Sequence, residues 1–96
     1  MENYDLRNYG YGVGSVIQVE SDVIEELTRF YNWKEDMIQR HIESDVVEVL
    51  EELEEDGEYE ESISFAKEDN ITGAYEAIEF EVIINKKGDD VTVTVK

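Results

Sequence analysis

The sequence predicts a single α+β domain in which two helices pack on one face of an antiparallel sheet of about four strands. Apolar residues recur at helical spacing between residues 23 and 53, and they alternate at strand spacing after residue 57. At 96 residues the chain has the size of one small domain, and its 41% hydrophobic fraction suffices for a modest core. No stretch resembles a linker, so residues 1–96 are treated as one domain with the order β-α-α-β-β-β.

The first strand is expected between Val13 and Val19, a short segment with apolar side chains on both faces. Residues 1–12 precede it and are rich in tyrosine and glycine, which suits an irregular arm or an edge strand. Asp22 and Glu25 then have the spacing of a capping box, in which each side chain satisfies a free backbone N–H. The first helix is therefore expected to begin near Val23.

The second helix is expected to extend from about Trp33 to Glu55, because this stretch contains neither glycine nor proline. Asp56 and Gly57 end it, since glycine readily adopts the left-handed conformation that closes a helix. Intervals of three and four residues separate its apolar positions, which predicts one buried stripe formed by Ile38, Ile42, Val46, Val49 and Leu53.

Three further strands are expected at residues 59–66, 74–85 and 91–95, where apolar and polar side chains alternate. In the middle one, Phe80 and Val82 are expected to face the core, and Glu79 and Glu81 to face solvent. The segment Asn-Lys-Lys-Gly-Asp-Asp between the last two strands has turn chemistry, so these strands are expected to form a hairpin.

Negative charge dominates the chain and is concentrated in one segment. The 26 acidic residues outnumber the 8 Lys and Arg, and the formal net charge of −18 argues against direct binding to a phosphate backbone. Residues 43–61 hold eleven of the acids and no Lys or Arg. The simple interpretation is a solvated helix face, but a surface that serves only for solubility normally mixes both signs.

On the expected helix, Glu48, Glu52 and Glu55 share with Glu51 the face opposite the apolar stripe. Such a row presents negative charge at spacings comparable with a phosphodiester backbone, so it fits a groove lined by Arg and Lys. The expected partner is the basic groove of a nucleic-acid-binding protein, with no direct contact to nucleic acid or membrane. The carboxylates expected to bind it are Asp45, Glu48, Glu51, Glu52, Glu55, Asp56, Glu58 and Glu60, with Glu79 and Glu81 as a second patch.

In size, acidity, lack of cysteine and α+β pattern, the chain resembles the small acidic nucleic-acid mimics that phages use against restriction and CRISPR enzymes. The resemblance is one of general character across the chain and rests on no aligned motif. It implies a stoichiometric anti-CRISPR or anti-restriction inhibitor that works by DNA mimicry. Its target would be a host enzyme with a PAM-reading or duplex-binding channel lined by Arg and Lys.

No cofactor, metal site or catalytic centre is expected. The chain has no cysteine, and His41 with Asp45 offers only a two-ligand arm on a helix. A calcium loop aligned on Gly57 would place Ile63 at the position that requires a bidentate glutamate. The first residues lack the pattern of a secretory signal, so a cytoplasmic location is expected, in the host cell if the chain is phage-encoded.

An alternative function depends on aromatic residues rather than on acids. A hydrophobic anchor for a protein partner or a second copy of the chain could be built from Tyr4, Tyr9, Tyr11, Phe30, Tyr31 and Trp33. The two hypotheses differ in their salt dependence, because charge-driven binding weakens as ionic strength rises whereas an aromatic interface changes little.

Overall fold

The computed structural model describes residues 1–96 and has two α-helices and one sheet of five strands. The predicted α+β class is confirmed, and the sheet has one strand more than expected. In chain order the elements are β1 (Glu2–Asp5), a 3-10 turn (Arg7–Tyr9), β2 (Val16–Val19), α1 (Ser21–Tyr31), α2 (Glu35–Glu51), β3 (Gly57–Glu68), β4 (Tyr75–Lys87) and β5 (Asp90–Val95).

The additional strand, β1, comes from the tyrosine-rich arm and forms one edge of the sheet. Strand order is β1-β2-β5-β4-β3, and β1 pairs antiparallel with β2. Tyr4 lies opposite Ile17, and both side chains are buried, which explains why the arm is ordered as a strand. The strand expected from Val13 is correspondingly shorter, because Val13 and Gly14 form a turn before β2.

The parallel pairing of β2 with β5 is not predicted by any local pattern in the sequence. Ile17 lies beside Val93 and Val19 beside Val95, and all four side chains are buried. The chain leaves β2, forms both helices and returns as β3 at the far edge of the sheet. The expected antiparallel run of β3, β4 and β5 is present, and its last strand joins the first half of the chain through this parallel ladder.

One face of the sheet joins both helices in a single core. Alternate residues of the two neighbouring strands β4 and β5 point into it, among them Val82, Ile84 and Val93. Full burial of such a side chain contributes about 1.5–3 kcal/mol before conformational entropy is subtracted. The helices contribute Val23, Leu27, Ile38, Ile42, Val46 and Leu50. The expected stripe is wrong at its end, where Leu50 is buried and Val49 and Leu53 are only half-buried. Neither helix combines the length and the apolar character needed to cross a bilayer.

Both helices begin differently from the predicted pattern. The capping box of Asp22 and Glu25 is wrong, because α1 begins at Ser21 after Glu20, and no side chain caps its first turn. Asn32 closes α1 in the left-handed conformation with φ of 56°, which asparagine tolerates better than most residues. Because Asn32 ends α1, the chain needs a short connection before the next helix, and α2 begins at Glu35 rather than near Trp33.

The hairpin expected between the last two strands is confirmed. β4 and β5 pair as far as Lys87 opposite Asp90, so Gly88 and Asp89 form a two-residue turn. Gly88 has φ of 63°, and glycine at the first position with positive φ is typical of type II′ hairpin turns. β3 is longer than expected at both ends, and β4 starts one residue later and ends two residues later than expected.

Ser15 is buried, and its hydroxyl joins two segments that are distant in sequence. Its Oγ donates to the carbonyl of Asp89 at 3.2 Å and accepts the N–H of Val91 at 2.9 Å. The N–H of Gly12 donates to the same Asp89 carbonyl at 2.7 Å. These bonds hold the loop before β2 against the β4–β5 turn.

We expect Ser15→Ala to lower the free energy of unfolding by about 1–3 kcal/mol, because it leaves the buried Val91 N–H without an acceptor. Urea denaturation followed by circular dichroism measures this loss. Ser64→Ala is the control, since the Ser64 side chain is exposed on β3 and should change stability by less than about 0.5 kcal/mol. Equal effects of the two substitutions would contradict a structural role for the Ser15 hydroxyl.

Candidate partner-binding surface

The ten acidic residues predicted from the sequence lie on α2, in the loop that follows it, on β3 and on β4. Nine of them are exposed, and Asp45 is half-buried. Asp45, Glu48 and Glu51 belong to α2, and Glu79 and Glu81 belong to β4. The remaining members lie in the loop after α2 or on β3, and they are Glu52, Glu55, Asp56, Glu58 and Glu60.

The expected helical row of four glutamates is wrong at its C-terminal end. α2 ends at Glu51, and the N–H groups of Glu52 and Leu53 bond to carbonyls three residues back, which tightens the last turn. Carboxylates near a helix C-terminus oppose the helix dipole, and no basic residue is present in this turn to offset them. Glu55 therefore lies in the loop that leads to β3, outside the helix.

The four glutamates on the strands share the outer face of the sheet, opposite the helices. Glu58 lies across from Asn85 and Glu60 from Ile83, while Glu81 lies across from Ser62. Glu60 and Glu81 are therefore diagonal neighbours on adjacent strands, and such neighbours are typically roughly 7–8 Å apart. The expectation that Glu79 and Glu81 face solvent agrees with their exposed positions on this face.

The acids of α2 lie on the other side of β3 and line an open groove of about 260 Å³ between the helix and that strand. One wall is formed by Asp45, Glu48 and Val49 of α2 with Glu52 just after the helix, and the other by residues 62–64 of β3. β3 thus has acidic side chains on both sides, from α2 on the inner side and from its own glutamates on the outer side. The sequence predicts the acids but not this arrangement around one strand.

Most of these carboxylates have no cation partner within the molecule. Three Lys or Arg ion pairs are present, and Asp56 is the one acid of the ten that takes part in them. Asp45 lies beside His41 instead. Asp56 lies 3.6 Å from Lys86 and also accepts the N–H of Gly88 at 2.9 Å. The other eight carboxylates are exposed and unpaired, so they are available to the Arg and Lys side chains of a partner.

Asp45 differs from its neighbours because it is partly desolvated. Burial raises the pKa of its carboxyl group, the nearby Glu48 charge adds to this effect, and His41 opposes it. His41 Nε2 lies 4.0 Å from the Asp45 carboxylate, and the imidazole ring packs against Trp33 and Phe65 at centroid distances of 5.5 and 5.2 Å. His41 is therefore part of an aromatic cluster at the end of the groove, a contact that sequence spacing does not indicate.

The aromatic residues of the alternative hypothesis do not form one surface. Tyr4 is buried, and Tyr31 stacks on Trp33 with their rings 4.1 Å apart. Phe30, Tyr31 and Trp33 are half-buried against the core, whereas Tyr9 is exposed and donates its hydroxyl to Glu43 at 2.7 Å. The fold places Tyr4 and Trp33 in different surroundings, which the sequence pattern does not reveal.

The largest concavity lies elsewhere, between α1 and the start of α2. It has a volume of about 490 Å³ and is lined by Ile24, Glu25, Thr28, Arg29 and Glu35. It is open to solvent, has one apolar lining residue and contains none of the ten selected acids, so it lacks the enclosed apolar character of small-molecule sites. The acidic region around β3 is the better candidate for function.

Comparisons of this chain with models of known protein families, with curated proteins and with solved structures give no match.

We expect Glu51→Lys to raise the free energy of unfolding by several tenths of a kcal/mol to about 1 kcal/mol, because a cation replaces an anion at the C-terminus of α2. Glu35→Lys, in the first turn of the same helix, should lower it by a similar amount. Thermal and urea denaturation at low salt measure both effects. The same sign for both variants would show that the helix dipole does not control these positions.

The raised pKa of Asp45 predicts a dependence of stability on pH. The native state binds this proton more tightly than the unfolded state, so the contribution of Asp45 to stability falls as pH rises from its unfolded pKa through its native pKa. Asp45→Asn removes this dependence. Its free energy of unfolding should therefore rise relative to that of the parent as pH increases from about 3 to about 7. Asp5 is the opposite control, because hydrogen bonds from Arg7 lower its pKa. The free energy of unfolding of Asp5→Asn should fall relative to that of the parent over the same rise in pH. Urea denaturation at several pH values tests both signs.

Proposed function

We propose that this chain is a non-enzymatic protein inhibitor that blocks a nucleic-acid-binding enzyme, of the CRISPR effector or restriction type, by presenting an acidic surface in place of nucleic acid. The observation that carries the proposal is the set of eight exposed carboxylates without an intramolecular cation partner. A partner's Arg and Lys side chains would supply the missing counter-charges.

The distribution of positive charge supports a binding role over simple solubility. The segment 43–61 contains no Lys or Arg, and Lys86 is the one Lys or Arg from elsewhere whose side chain lies within 4 Å of an acid in it. A surface for solubility alone does not require this exclusion of one sign. Acids in the last turn of α2 also reduce helix stability, and a binding role explains why they are present despite that cost.

The placement of the acids on two sides of β3 favours a groove as the complementary partner surface. A groove that receives the open edge of β3 contacts the α2 acids on one wall and Glu58 and Glu60 on the other. Duplex-binding channels are lined by basic side chains that follow two phosphate strands, so they offer cations on opposite walls. Association with such a channel is expected to be fast and to weaken strongly as salt concentration rises.

The first test uses purified CRISPR effectors and restriction endonucleases with their duplex DNA substrates. The chain should compete with DNA at a stoichiometry near one inhibitor per DNA-binding channel, and the competition should diminish as ionic strength rises above the physiological range. Gel mobility shift and fluorescence anisotropy of labelled DNA measure the competition. Partner binding that resists salt, or self-association alone, would favour the aromatic-interface alternative.

Reversal of charge on the proposed surface identifies the residues responsible. We expect Glu48→Lys, Glu52→Lys and Glu55→Lys together to weaken enzyme binding about a hundredfold or more, because like charges then face each other across the interface. The matched control reverses Glu2, Glu25 and Glu26, which are also exposed, lie away from β3 and change the net charge equally. Circular dichroism confirms folding of each variant, and equal losses in both triple variants would disprove a local acidic site.

A further inference from the structure

β3 is an edge strand whose outer side pairs with no other strand. It occupies the end of the sheet and bonds only to β4, through twelve paired positions from Gly57 to Glu68. An unpaired edge presents backbone N–H and C=O groups that can bond to an added strand. This edge is three times as long as the edge formed by the four residues of β1.

The hydrogen-bond pattern identifies which backbone groups are free. Glu81 and Lys96 exchange both backbone bonds, at 3.0 Å each, so the backbone groups of Glu81 point away from β3. Along an antiparallel strand, the backbone N–H and C=O groups of successive residues point to opposite sides. The backbone groups of Val82 therefore point toward β3, where its partner is Glu61. Alternate residues of β3 therefore bond to β4, and the N–H and C=O groups at the open edge belong to Glu58, Glu60, Ser62, Ser64 and Ala66.

A side-chain contact supports this assignment and marks one end of the free edge. The hydroxyl of Tyr31 donates to the carbonyl of Ala66 at 3.0 Å, which requires that carbonyl to point away from β4. Tyr31 thus occupies the edge at Ala66, and the Lys67 ammonium next to it donates to the carbonyl of Phe30 at the end of α1. The free part runs from Glu58 to Ser64, a length of roughly 20 Å.

Charge determines what kind of strand fits this edge. Side chains of an added strand alternate between the two faces, so one set meets Asp45, Glu48 and Glu52 across the groove. The other set lies beside Glu58 and Glu60 on the outer face. A second copy of β3 would bring the same carboxylates together and is repelled, whereas Lys and Arg are attracted on both faces.

We propose that the free edge of β3 from Glu58 to Ser64 binds an extended, Lys- and Arg-rich segment of a protein partner as an additional strand. The backbone groups of the edge provide the pairing, and the acids on both sides select consecutive basic residues. The proposal rests on the proposed function for the nature of the partner, and it adds the main-chain contact through which that partner is held.

The decisive probe is a peptide of about nine residues that alternates arginine and lysine, long enough to span the free edge. A second peptide has the same sequence with backbone N-methyl groups at alternate residues, which removes strand donors and keeps every charge. We expect the methylated peptide to bind about tenfold or more weakly than the first, because several main-chain hydrogen bonds are lost. Isothermal titration calorimetry at constant ionic strength measures the ratio, and equal affinities would overturn the proposal.

Ser62→Pro tests the same contact from the side of the protein. Proline removes an outward N–H without removing a bond to β4, and edge strands tolerate it. The variant should lose peptide affinity about tenfold, and Ser62→Ala, which keeps the N–H, should not. In the parent, the amides of Glu58, Glu60, Ser62 and Ser64 should gain hydrogen-exchange protection when the unmethylated peptide binds. Absence of that protection would overturn the proposal even if Ser62→Pro does not fold.

Failure of this inference is distinguishable from failure of the proposed function. If DNA competition is present but insensitive to Ser62→Pro and to peptide methylation, the acids act through side chains alone and only the strand pairing is disproved. If the peptides discriminate as expected but no nucleic-acid-binding enzyme is inhibited, the edge binds basic segments and the inhibitor function is disproved.

Discussion

The parallel ladder between β2 and β5 is the contact on which the rest of the structure depends. It joins the N-terminal strands and the C-terminal hairpin into one sheet, and its facing residues Ile17, Val19, Val93 and Val95 are all buried. Parallel pairs normally occur where both faces are covered, and here one face is covered by the helices. Because β5 occupies the centre, β3 is left at the edge, next to the acidic part of α2. The candidate surface is thus a consequence of where the last strand is inserted.

The sequence predicts the elements better than their arrangement, for physical reasons that particular residues illustrate. The alternation in β4 and the apolar stripe of α2 are local, so Phe80, Val82, Ile42 and Val46 are placed correctly. The end of α2 is not, because the absence of glycine and proline does not reveal the repulsion and dipole effects that stop the helix at Glu51. The parallel ladder depends on residues at opposite ends of the chain, and no local periodicity encodes that pairing.

For the candidate surface too, the sequence predicts the residues but not their arrangement in space. The ten acids are visible as a composition bias, and the structure shows all of them to be exposed or half-buried. Their grouping around β3 is visible only once α2 and the strand are placed together, as is the aromatic cluster of Tyr31, Trp33, His41 and Phe65 at the end of the groove. Spacing along the chain links His41 to Asp45, but only the fold brings Phe65 to the same imidazole.

The difference in sequence separation between the two parts of the sheet has a consequence for how the molecule reaches its native state. β3 and β4 are neighbours along the chain. Pairing of β2 with β5 instead closes a loop that contains both helices, β3 and β4. Local hairpins form sooner than distant strand pairs, because the entropic cost of closing a loop rises with its length. During that interval the β3–β4 hairpin has both edges open on a chain that is still partly unfolded. Its carboxylates then act as gatekeepers that keep two such chains from associating through their strands. The charge that we propose for recognition in the folded molecule thus also opposes aggregation of the partly folded chain.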